Sequence, residues 1–193
     1  MTGWWASAFV AQWVLVLVLC IVVVALARQV GTLHLRLGPR GALEIDEEGP
    51  PLGEAPLPKE SVTVDGVEQV VGGPGAGQFL LFVSPTCPIC ETVLPSLGAV
   101  ASVGRLEPVV IADADRRGVR NGLQGRRIEA PLIADPELVN DYGIPGVPYA
   151  VVLDERGIVL AKGTVNNLEQ MEGMLDTATA RRLEHALLEE RAG

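Results

Sequence analysis

The chain has 193 residues, enough for one domain of ordinary size with a further segment attached, because single cores usually hold about 100–200 residues. Asp and Glu number 24 against 15 Lys and Arg, which gives a formal net charge of −9. A nucleic acid would have to bind against this negative field, so the composition argues against a nucleic acid partner. Hydrophobic residues make up 48% of the chain, and they are concentrated at its start.

Residues 6–27 carry no charge and predict one transmembrane helix, with an N-terminal anchor over residues 1–28. At about 1.5 Å per residue this run crosses a hydrocarbon core of ~30 Å. Tryptophan side chains favour the headgroup level, and three gather near the beginning of the run: Trp4, Trp5 and Trp13. A cleaved signal peptide is the alternative, because Ala25-Leu26-Ala27 has the form of a cleavage site. The run is longer than a signal sequence requires, and no basic residue precedes it.

The basic residues around this run predict an orientation. No Lys or Arg precedes it, whereas Arg28, Arg36 and Arg40 follow it. The positive-inside rule alone therefore places the C-terminal part of the chain in the cytoplasm. Cys20 lies within the run, where a single thiol is expected to serve helix packing, with a contact to another chain as its alternative.

Residues 29–58 have the composition of a linker, with several Gly and Pro residues. Four acidic residues in this stretch are expected to be solvated rather than to bind a cation: Glu44, Asp46, Glu47 and Glu48. The linker separates the anchor from a domain predicted over residues 59–193.

The predicted domain begins with a β-hairpin, whose arms at residues 61–64 and 67–71 flank Asp65-Gly66. Residues 72–77, GGPGAG, precede a strand and contain no lysine. A phosphate-binding loop follows a strand and ends in Gly-Lys-Ser/Thr, so no phosphate site is predicted. Residues 78–84 form an apolar run of buried-strand length. A helix follows, with four apolar residues on one side: Ile89, Val93, Leu97 and Val100.

The second half of the domain continues with strands and helices. Strands are predicted at residues 107–112 and in a hairpin of residues 149–154 and 158–165, with a short helix over Asp135–Tyr142. The chain ends in an amphipathic helix over residues 167–190, with five apolar residues near helical spacing: Leu168, Met171, Leu175, Leu183 and Leu187.

A basic cluster lies between these elements, over residues 116–127. It holds five of the 15 basic residues of the chain: Arg116, Arg117, Arg120, Arg126 and Arg127. A solvated helix surface is the expected role, and a docking face for an acidic partner is the alternative.

Cys87-Pro88-Ile89-Cys90 holds two of the three cysteines of the chain. A structural zinc site takes four ligands, usually in two pairs, but the remaining soft ligands are Cys20, His34 and His185, which form no second pair. A copper carrier of this architecture is expected to add a histidine near the cysteines, and none occurs between residues 41 and 184. The sequence therefore predicts no metal site.

A purely structural disulfide between Cys87 and Cys90 would close a very short loop and stabilise little. The unpaired amides and the positive dipole end of the following helix stabilise a thiolate at Cys87. Such a thiolate is both a better nucleophile at neutral pH and a better leaving group. The pattern therefore favours a redox-active disulfide, with no other cofactor.

Val147-Pro148 stands immediately before a predicted strand, and the CxxC pair immediately follows another. This constellation resembles the thioredoxin superfamily. The resemblance implies an α/β fold, a central mixed β-sheet flanked by helices, here with an extra N-terminal β-hairpin and a preceding transmembrane helix. It implies that Cys87 is the exposed nucleophile, Cys90 the resolving thiol and Pro148 a cis-proline beside the pair. It also implies that the backbone of Val147 pairs with a client peptide.

The sequence departs from that family six residues before Cys87. Many thioredoxins have a buried acidic residue there, which assists proton transfer to the resolving thiol, whereas this chain has Leu81. The proton acceptor for Cys90 is therefore unassigned. Pro88 and Ile89 are expected to support the site and contact the client peptide, but they do not fix the direction of the reaction.

Longer stretches resemble one family within this superfamily. The leading helix ending in ALARQVG, the segment LHLRLGPRGAL, FVSPTCPIC, GIPGVPYAVVLDERGIVLAKGTVNN and the C-terminal helix are similar to the MauD family of methylamine utilization proteins, over nearly the whole chain. The resemblance implies a membrane-tethered thiol-disulfide oxidoreductase needed for maturation of the methylamine dehydrogenase small subunit. That client is rich in disulfides and carries a tryptophan-derived quinone.

A disulfide-rich client implies that the C-terminal domain lies in the periplasm, an oxidising compartment, with the anchor in the inner membrane. This placement opposes the orientation that the basic residues predict. The direction of the reaction also stays open among oxidase, isomerase and reductase, although the implied client favours oxidation or isomerisation. Two alternatives are a tethered reductase for cytochrome c maturation and a non-catalytic escort that holds the subunit through Val147. The redox partner that resets the pair is not identified by the sequence.

Overall fold

The computed structural model describes residues 3–36, 48–123, 125–126 and 128–192. The chain divides into two compact units, Met1–Gly38 and Pro39–Gly193. The helices are α1 (Gly3–Arg36), α2 (Pro88–Val93), α3 (Leu97–Gly104), α4 (Arg116–Gly122), α5 (Pro136–Asp141) and α6 (Leu168–Ala192). The strands are β1 (Lys59–Val62), β2 (Glu68–Val71), β3 (Gln78–Val83), β4 (Glu107–Ala112), β5 (Leu132–Ala134), β6 (Tyr149–Leu153) and β7 (Val159–Thr164).

The first unit consists of α1. Within this helix, Gly3–Val24 is long and apolar enough to cross a membrane, judged by length and composition, and it is the only such segment among the described residues. The helix continues to Arg36, beyond the predicted end of the anchor at Arg28. Three of the acidic residues of the predicted linker, Glu44, Asp46 and Glu47, lie outside the described residues.

The second unit is built on a five-stranded mixed sheet in the order β5-β4-β3-β6-β7. Strands β3, β4 and β5 run parallel, whereas β6 and β7 are antiparallel to their neighbours. The predicted N-terminal hairpin is confirmed as a separate two-stranded sheet of β1 and β2. Strand β5 was not predicted, because three residues after Pro131 are too short to show a periodic pattern.

Strand β3 is buried on both faces, and its six residues alternate between two cores. Phe79, Leu81 and Val83 face a core completed by α3 and α6. Leu80 and Phe82 face the opposite core, which includes Tyr142 after α5. A central strand with helices on both sides explains why residues 78–83 form a continuous apolar run rather than an alternating one.

The helical segment after the cysteine pair is divided into three parts. Helix α2 ends at Val93, a short 3₁₀ turn covers Leu94–Ser96, and α3 follows. Pro95 accounts for the interruption, since it has no backbone N–H to donate to the preceding turn. The predicted apolar side is confirmed for its last three members but wrong for Ile89, whose side chain is 46% exposed.

The C-terminal helix is confirmed, but only part of its predicted apolar face is buried. Met171 and Leu175 pack in the core, whereas Leu168, Leu183 and Leu187 are exposed. Helix α6 packs mainly on β7, so burial is confined to the part of the helix that lies against the sheet. Helical spacing identified the face of the helix but not the length over which the sheet covers it.

Residues 48–54 pack against the second core, ahead of the domain boundary predicted at residue 59. The Tyr149 hydroxyl and the Lys162 ammonium both donate to the backbone carbonyl of Glu48, at 3.1 Å and 2.7 Å. Val159 exchanges two backbone hydrogen bonds of 2.9 Å with the segment. The side chain of Lys162 is 1% exposed, so its charge depends on buried partners to offset the loss of hydration.

We expect Lys162→Met to lower the free energy of unfolding by about 1–3 kcal/mol, because the Glu48 carbonyl loses a charged hydrogen-bond donor. Urea denaturation of the full chain followed by circular dichroism measures this change. The matched control is Lys59→Met, which breaks an ion pair with Asp141 in which both side chains are about half exposed. Exposed pairs contribute only about 0–1 kcal/mol. Equal losses for the two variants would contradict the structural role of Lys162.

Candidate active site

The CxxC pair lies where β3 ends and α2 begins, at the C-terminal edge of the sheet. The Cys87 N–H donates to the Ser84 carbonyl at 3.1 Å, which closes the turn after the strand. Cys87 is the N-cap residue of α2, with φ −91° and ψ 111°, and Pro88 occupies the first turn. A proline suits this position because the first N–H groups of a helix have no intrahelical acceptor. This arrangement points the Cys87 side chain back over the helix start.

The two sulfur atoms have different environments. The Cys90 N–H donates to Cys87 Sγ at 3.2 Å, a hydrogen bond that stabilises negative charge on that sulfur. Cys87 is half-buried, whereas Cys90 is fully buried, and both are free thiols in this structure. Burial, together with the hydrogen bond to Cys87, raises the pKa of the Cys90 thiol to about 12. The accessible sulfur of the pair is therefore that of Cys87, and Cys90 is a protonated thiol at neutral pH.

The loop before β6 brings a proline next to the pair. The Val147–Pro148 peptide bond is cis, the geometry that the thioredoxin resemblance implied. The Cys87 thiol faces the Val147 carbonyl oxygen at 3.8 Å. Val147 is half-buried beside the cysteine, and Pro148 is buried. The structure thus brings together residues that are 60 positions apart in the sequence.

Pro88 and Ile89 are both exposed, between the two cysteines. With Val147 they give the surface around Cys87 an apolar character. Pro88 and Ile89 were expected to contact a client peptide, and their exposure leaves them available for such a contact. Their roles in binding stay a prediction.

Leu81 occupies the position from which a thioredoxin base would act. Leu81 is fully buried on β3 and packs in the same core as Cys90. The acidic residue that follows the pair directly, Glu91, forms an ion pair with Arg126. The hydrogen bond that Arg126 donates lowers the pKa of Glu91, so the carboxylate stays ionised and paired with Arg126. Sequence reasoning missed this pair because its members are 35 residues apart.

The described residues contain no group of three or more His, Cys, Asp or Glu side chains arranged to hold a metal ion. His185 is exposed near the end of α6, far along the chain from the cysteine pair. Cys20 is exposed on the apolar helix α1. The candidate site therefore consists of the two thiols, the Val147–Pro148 loop and the apolar side chains around them.

Helix α4 packs against the motif loop, the residues 84–87 that connect β3 to the cysteine pair. A Cβ atom built on Gly122 would lie 2.4 Å from Pro85 Cβ and 3.1 Å from the Pro85 carbonyl oxygen. Both atoms belong to a rigid residue two positions before Cys87. Only glycine therefore allows α4 to approach the loop that positions the nucleophile.

We expect Gly122→Ala to lower the free energy of unfolding by about 1–3 kcal/mol, because overpacking forces the loop or the helix to move. The matched control is Gly98→Ala on α3, where the nearest atom to the added Cβ is 3.5 Å away. That change should be neutral or stabilising by up to about 1 kcal/mol. Thermal unfolding of both variants distinguishes them, and a Gly122→Ala protein as stable as the Gly98→Ala protein would refute the contact.

Solved structures of thiol-disulfide proteins share this architecture. A protein described as a disulfide isomerase from Bacteroides thetaiotaomicron superposes with a TM-score of 0.59 at 16% identity, covering 69% of this chain and 92% of that one. A protein described as the thiol:disulfide interchange protein DsbE from Chlorobium tepidum gives a TM-score of 0.57 at 18% identity, covering 68% and 98%. At these identities the likeness concerns the fold, and it confirms the predicted thioredoxin-like architecture.

Sequence comparison is more specific. The methylamine utilization protein MauD of Methylobacillus flagellatus is 32% identical over 192 residues, covering 97% of this chain and 92% of that protein. MauD of Methylophilus methylotrophus is 34% identical over 172 residues, covering 87% and 81%. MauD of Paracoccus denitrificans is 30% identical over 180 residues, covering 91% and 90%. No family model matches the chain. Since these relatives are at least 30% identical over most of their own length and of this chain, the chain belongs to the MauD family of methylamine utilization proteins.

Proposed function

We propose that this protein is a membrane-tethered thiol-disulfide oxidoreductase that forms or rearranges disulfides in the small subunit of methylamine dehydrogenase. The observation that carries the proposal is the asymmetric thiol pair. Cys87 is accessible and accepts a backbone hydrogen bond at 3.2 Å, whereas Cys90 is fully buried behind it. Membership of the MauD family supports the choice of client.

In the oxidising direction, a client thiolate attacks Cys87 Sγ of the Cys87–Cys90 disulfide. The bond between the two protein sulfurs breaks, and Cys90 leaves as a thiolate that takes up a proton. A second client thiolate then attacks the client sulfur of the mixed disulfide and expels Cys87 as a thiolate. The client loses two electrons and gains a disulfide, and the protein pair gains those two electrons. A separate redox partner must reoxidise the pair for the next cycle.

The structure suggests what each residue contributes to these steps. The Cys90 N–H stabilises the Cys87 thiolate when it is expelled. The high pKa of Cys90, raised to about 12 by burial and by the Cys87 hydrogen bond, favours its protonation once it has left. That protonation disfavours the reverse attack, so the mixed disulfide survives long enough for the second client thiol to act.

We assign client binding to the surface around Cys87. We assign the Val147 backbone to pairing with an extended client segment and Pro148 to fixing that loop beside the sulfur. Pro88 and Ile89 are exposed between the two cysteines, where they provide apolar contact. An extended peptide bound through its backbone suits a client whose several cysteines occur in different sequences.

We also assign the thioredoxin-like domain to the periplasm, with α1 as an uncleaved single-pass anchor. A client that needs disulfides is found in an oxidising compartment, although the basic residues after α1 favour the opposite orientation. Labelling of Arg105→Cys in intact cells with a membrane-impermeant maleimide, on a background without the other cysteines, tests this placement. Labelling without lysis supports the periplasm, and labelling only after lysis contradicts it.

The functional test replaces MauD in a methylamine-growing host with this chain or with its Cys87→Ser/Cys90→Ser variant. Expected results are growth on methylamine and a correctly oxidised small subunit with the unaltered chain, and loss of both with the variant. A variant that still supports maturation would make the protein an escort rather than an enzyme. Loss of cytochrome c with normal disulfides in the small subunit would instead identify a reductase for haem attachment.

A further inference from the structure

Helix α4 carries three exposed arginines, Arg116, Arg117 and Arg120, beside its buried residues. We propose that this α4 basic surface is a docking site for acidic segments of the client polypeptide. Docking there would bring the cysteines of the client towards Cys87 and Cys90. The inference rests on the proposed function, since it names the chemistry of the client that the same site accepts.

The sheet places α4 at the edge that carries the cysteine pair. Strands β3 and β4 are parallel, with Val83 paired to Ala112 at their C-terminal ends. The Asp113 N–H donates to the Val83 carbonyl at 2.8 Å, so the chain leaves both strands at one edge. The close approach of Gly122 to Pro85 then holds α4 directly against the loop that leads to Cys87.

The orientation of the helix exposes its arginines. Val119 and Leu123 are buried in the core that contains Cys90. Arg117 and Arg120 are exposed, and Arg116 is exposed while donating to the Thr63 carbonyl at 3.3 Å. The helix is therefore fixed on the domain by its apolar side, and its charges are held in place rather than carried on a mobile loop.

No carboxylate in the described part of the chain forms an ion pair with Arg117 or Arg120. Of the two nearest acidic residues in the sequence, Asp115 is engaged as the N-cap of α4, accepting from the Gly118 N–H at 2.7 Å. Asp113 is exposed. The three arginines of α4 outnumber these two carboxylates, which leaves an excess of positive charge.

The surface beside the nucleophile adds no repulsion against an acidic ligand. Glu91 is the only charged residue between Pro88 and Gly104, and Arg126 neutralises it in an ion pair. A positive surface on the helix that packs against the loop before Cys87 stands out on a chain whose net charge is −9. Such a surface increases the rate of encounter with partners of opposite charge, and the effect weakens as salt screens it.

The test uses the full chain in nanodiscs of zwitterionic lipid, with the cysteine pair oxidised. Three dithiol peptides differ only in their flanks, which carry four Asp, four Ser or four Lys residues. The second-order rate of peptide oxidation is measured by mass spectrometry. We expect the acidic peptide to react roughly tenfold faster than the Ser peptide at low ionic strength, and the advantage to disappear near 1 M salt.

The decisive variant is Arg117→Gln/Arg120→Gln, which should remove the advantage of the acidic peptide and leave the Ser peptide unchanged. The matched control is Arg105→Asn/Arg182→Gln, which removes the same charge. Arg105 precedes β4, and Arg182 lies near Gly77 before β3, so both are at the opposite edge of the sheet. Asn also tolerates the positive φ of 54° at Arg105. This control should react like the unaltered chain.

Two results would overturn the inference while leaving the proposed function intact. One is equal oxidation of all three peptides by the unaltered chain. The other is an effect of Arg117→Gln/Arg120→Gln that is the same for every peptide and occurs only in nanodiscs of anionic lipid, which would make the surface a membrane contact. Failure to oxidise any peptide would instead count against the proposed oxidoreductase activity, and the inference would fall with it.

Discussion

Replacing Cys87 by serine is expected to abolish thiol-disulfide exchange, with a loss of at least about 1,000-fold in the rate of peptide oxidation. The reason is geometric. Cys87 is the sulfur of the pair that is open to solvent, and Cys90 is fully buried behind it. A client thiolate has no route to Cys90 that avoids displacing Cys87. Serine cannot form the mixed disulfide through which every exchange of this type passes.

The complementary variant gives a distinct result. Cys90→Ser leaves the nucleophile in place but removes the thiol that resolves the intermediate, so a client disulfide should be captured as a stable mixed disulfide at Cys87. Non-reducing electrophoresis and peptide mass mapping detect this adduct. Cys20→Ser is the matched control, because it removes a cysteine of α1 and should leave the rate unchanged. Capture at Cys90 in the Cys87→Ser protein would contradict the assignment of the nucleophile.

The second large effect is a strong pH dependence of the step in which Cys90 resolves a mixed disulfide. Burial and the hydrogen bond to Cys87 raise the pKa of Cys90 to about 12, and only the thiolate attacks. At neutral pH only a very small fraction of Cys90 is therefore ionised. Since the thiolate fraction rises tenfold with each pH unit below the pKa, the resolution rate should rise about tenfold per unit from about pH 6 to 9.

This dependence can be measured with Ellman's reagent on the reduced chain carrying Cys20→Ser. Attack by Cys87 releases the first equivalent of thionitrobenzoate, and attack by Cys90 on the resulting mixed disulfide releases the second. Stopped-flow absorbance resolves the two phases, and Cys90→Ser should release one equivalent only. A second phase that becomes independent of pH below about pH 8 would mean that a base assists Cys90, contrary to its surroundings of Leu81 and other apolar side chains.

Much of the site could be predicted from the sequence because its signals are local. A strand, a CxxC pair and a helix follow one another without interruption, and Val147-Pro148 immediately precedes another strand. The apolar run of β3 and the hairpin around Asp65-Gly66 depend on short-range patterns of the same kind. These local features are sufficient to predict the order of strands and helices without any contact between distant residues.

The features that the sequence did not predict arise from contacts between residues that are far apart in the chain. The ion pair of Glu91 with Arg126 joins residues with no common motif. The exposure of Ile89 and Leu183 depends on where neighbouring elements end, which helical spacing does not report. The contact of Gly122 with Pro85 likewise appears only once α4 is packed on the motif loop. Each of these is a tertiary effect.

We propose that Cys87 and Cys90 form a pair that supplies or rearranges disulfides. The most direct test of this proposal is the reduction potential of the full chain in detergent, equilibrated with glutathione buffers and read by alkylation of the free thiols. We expect a value of roughly −120 to −180 mV, the range of disulfide donors and isomerases. A value near ~−270 mV or lower would show a pair that gives electrons away, and the protein would then be a reductase.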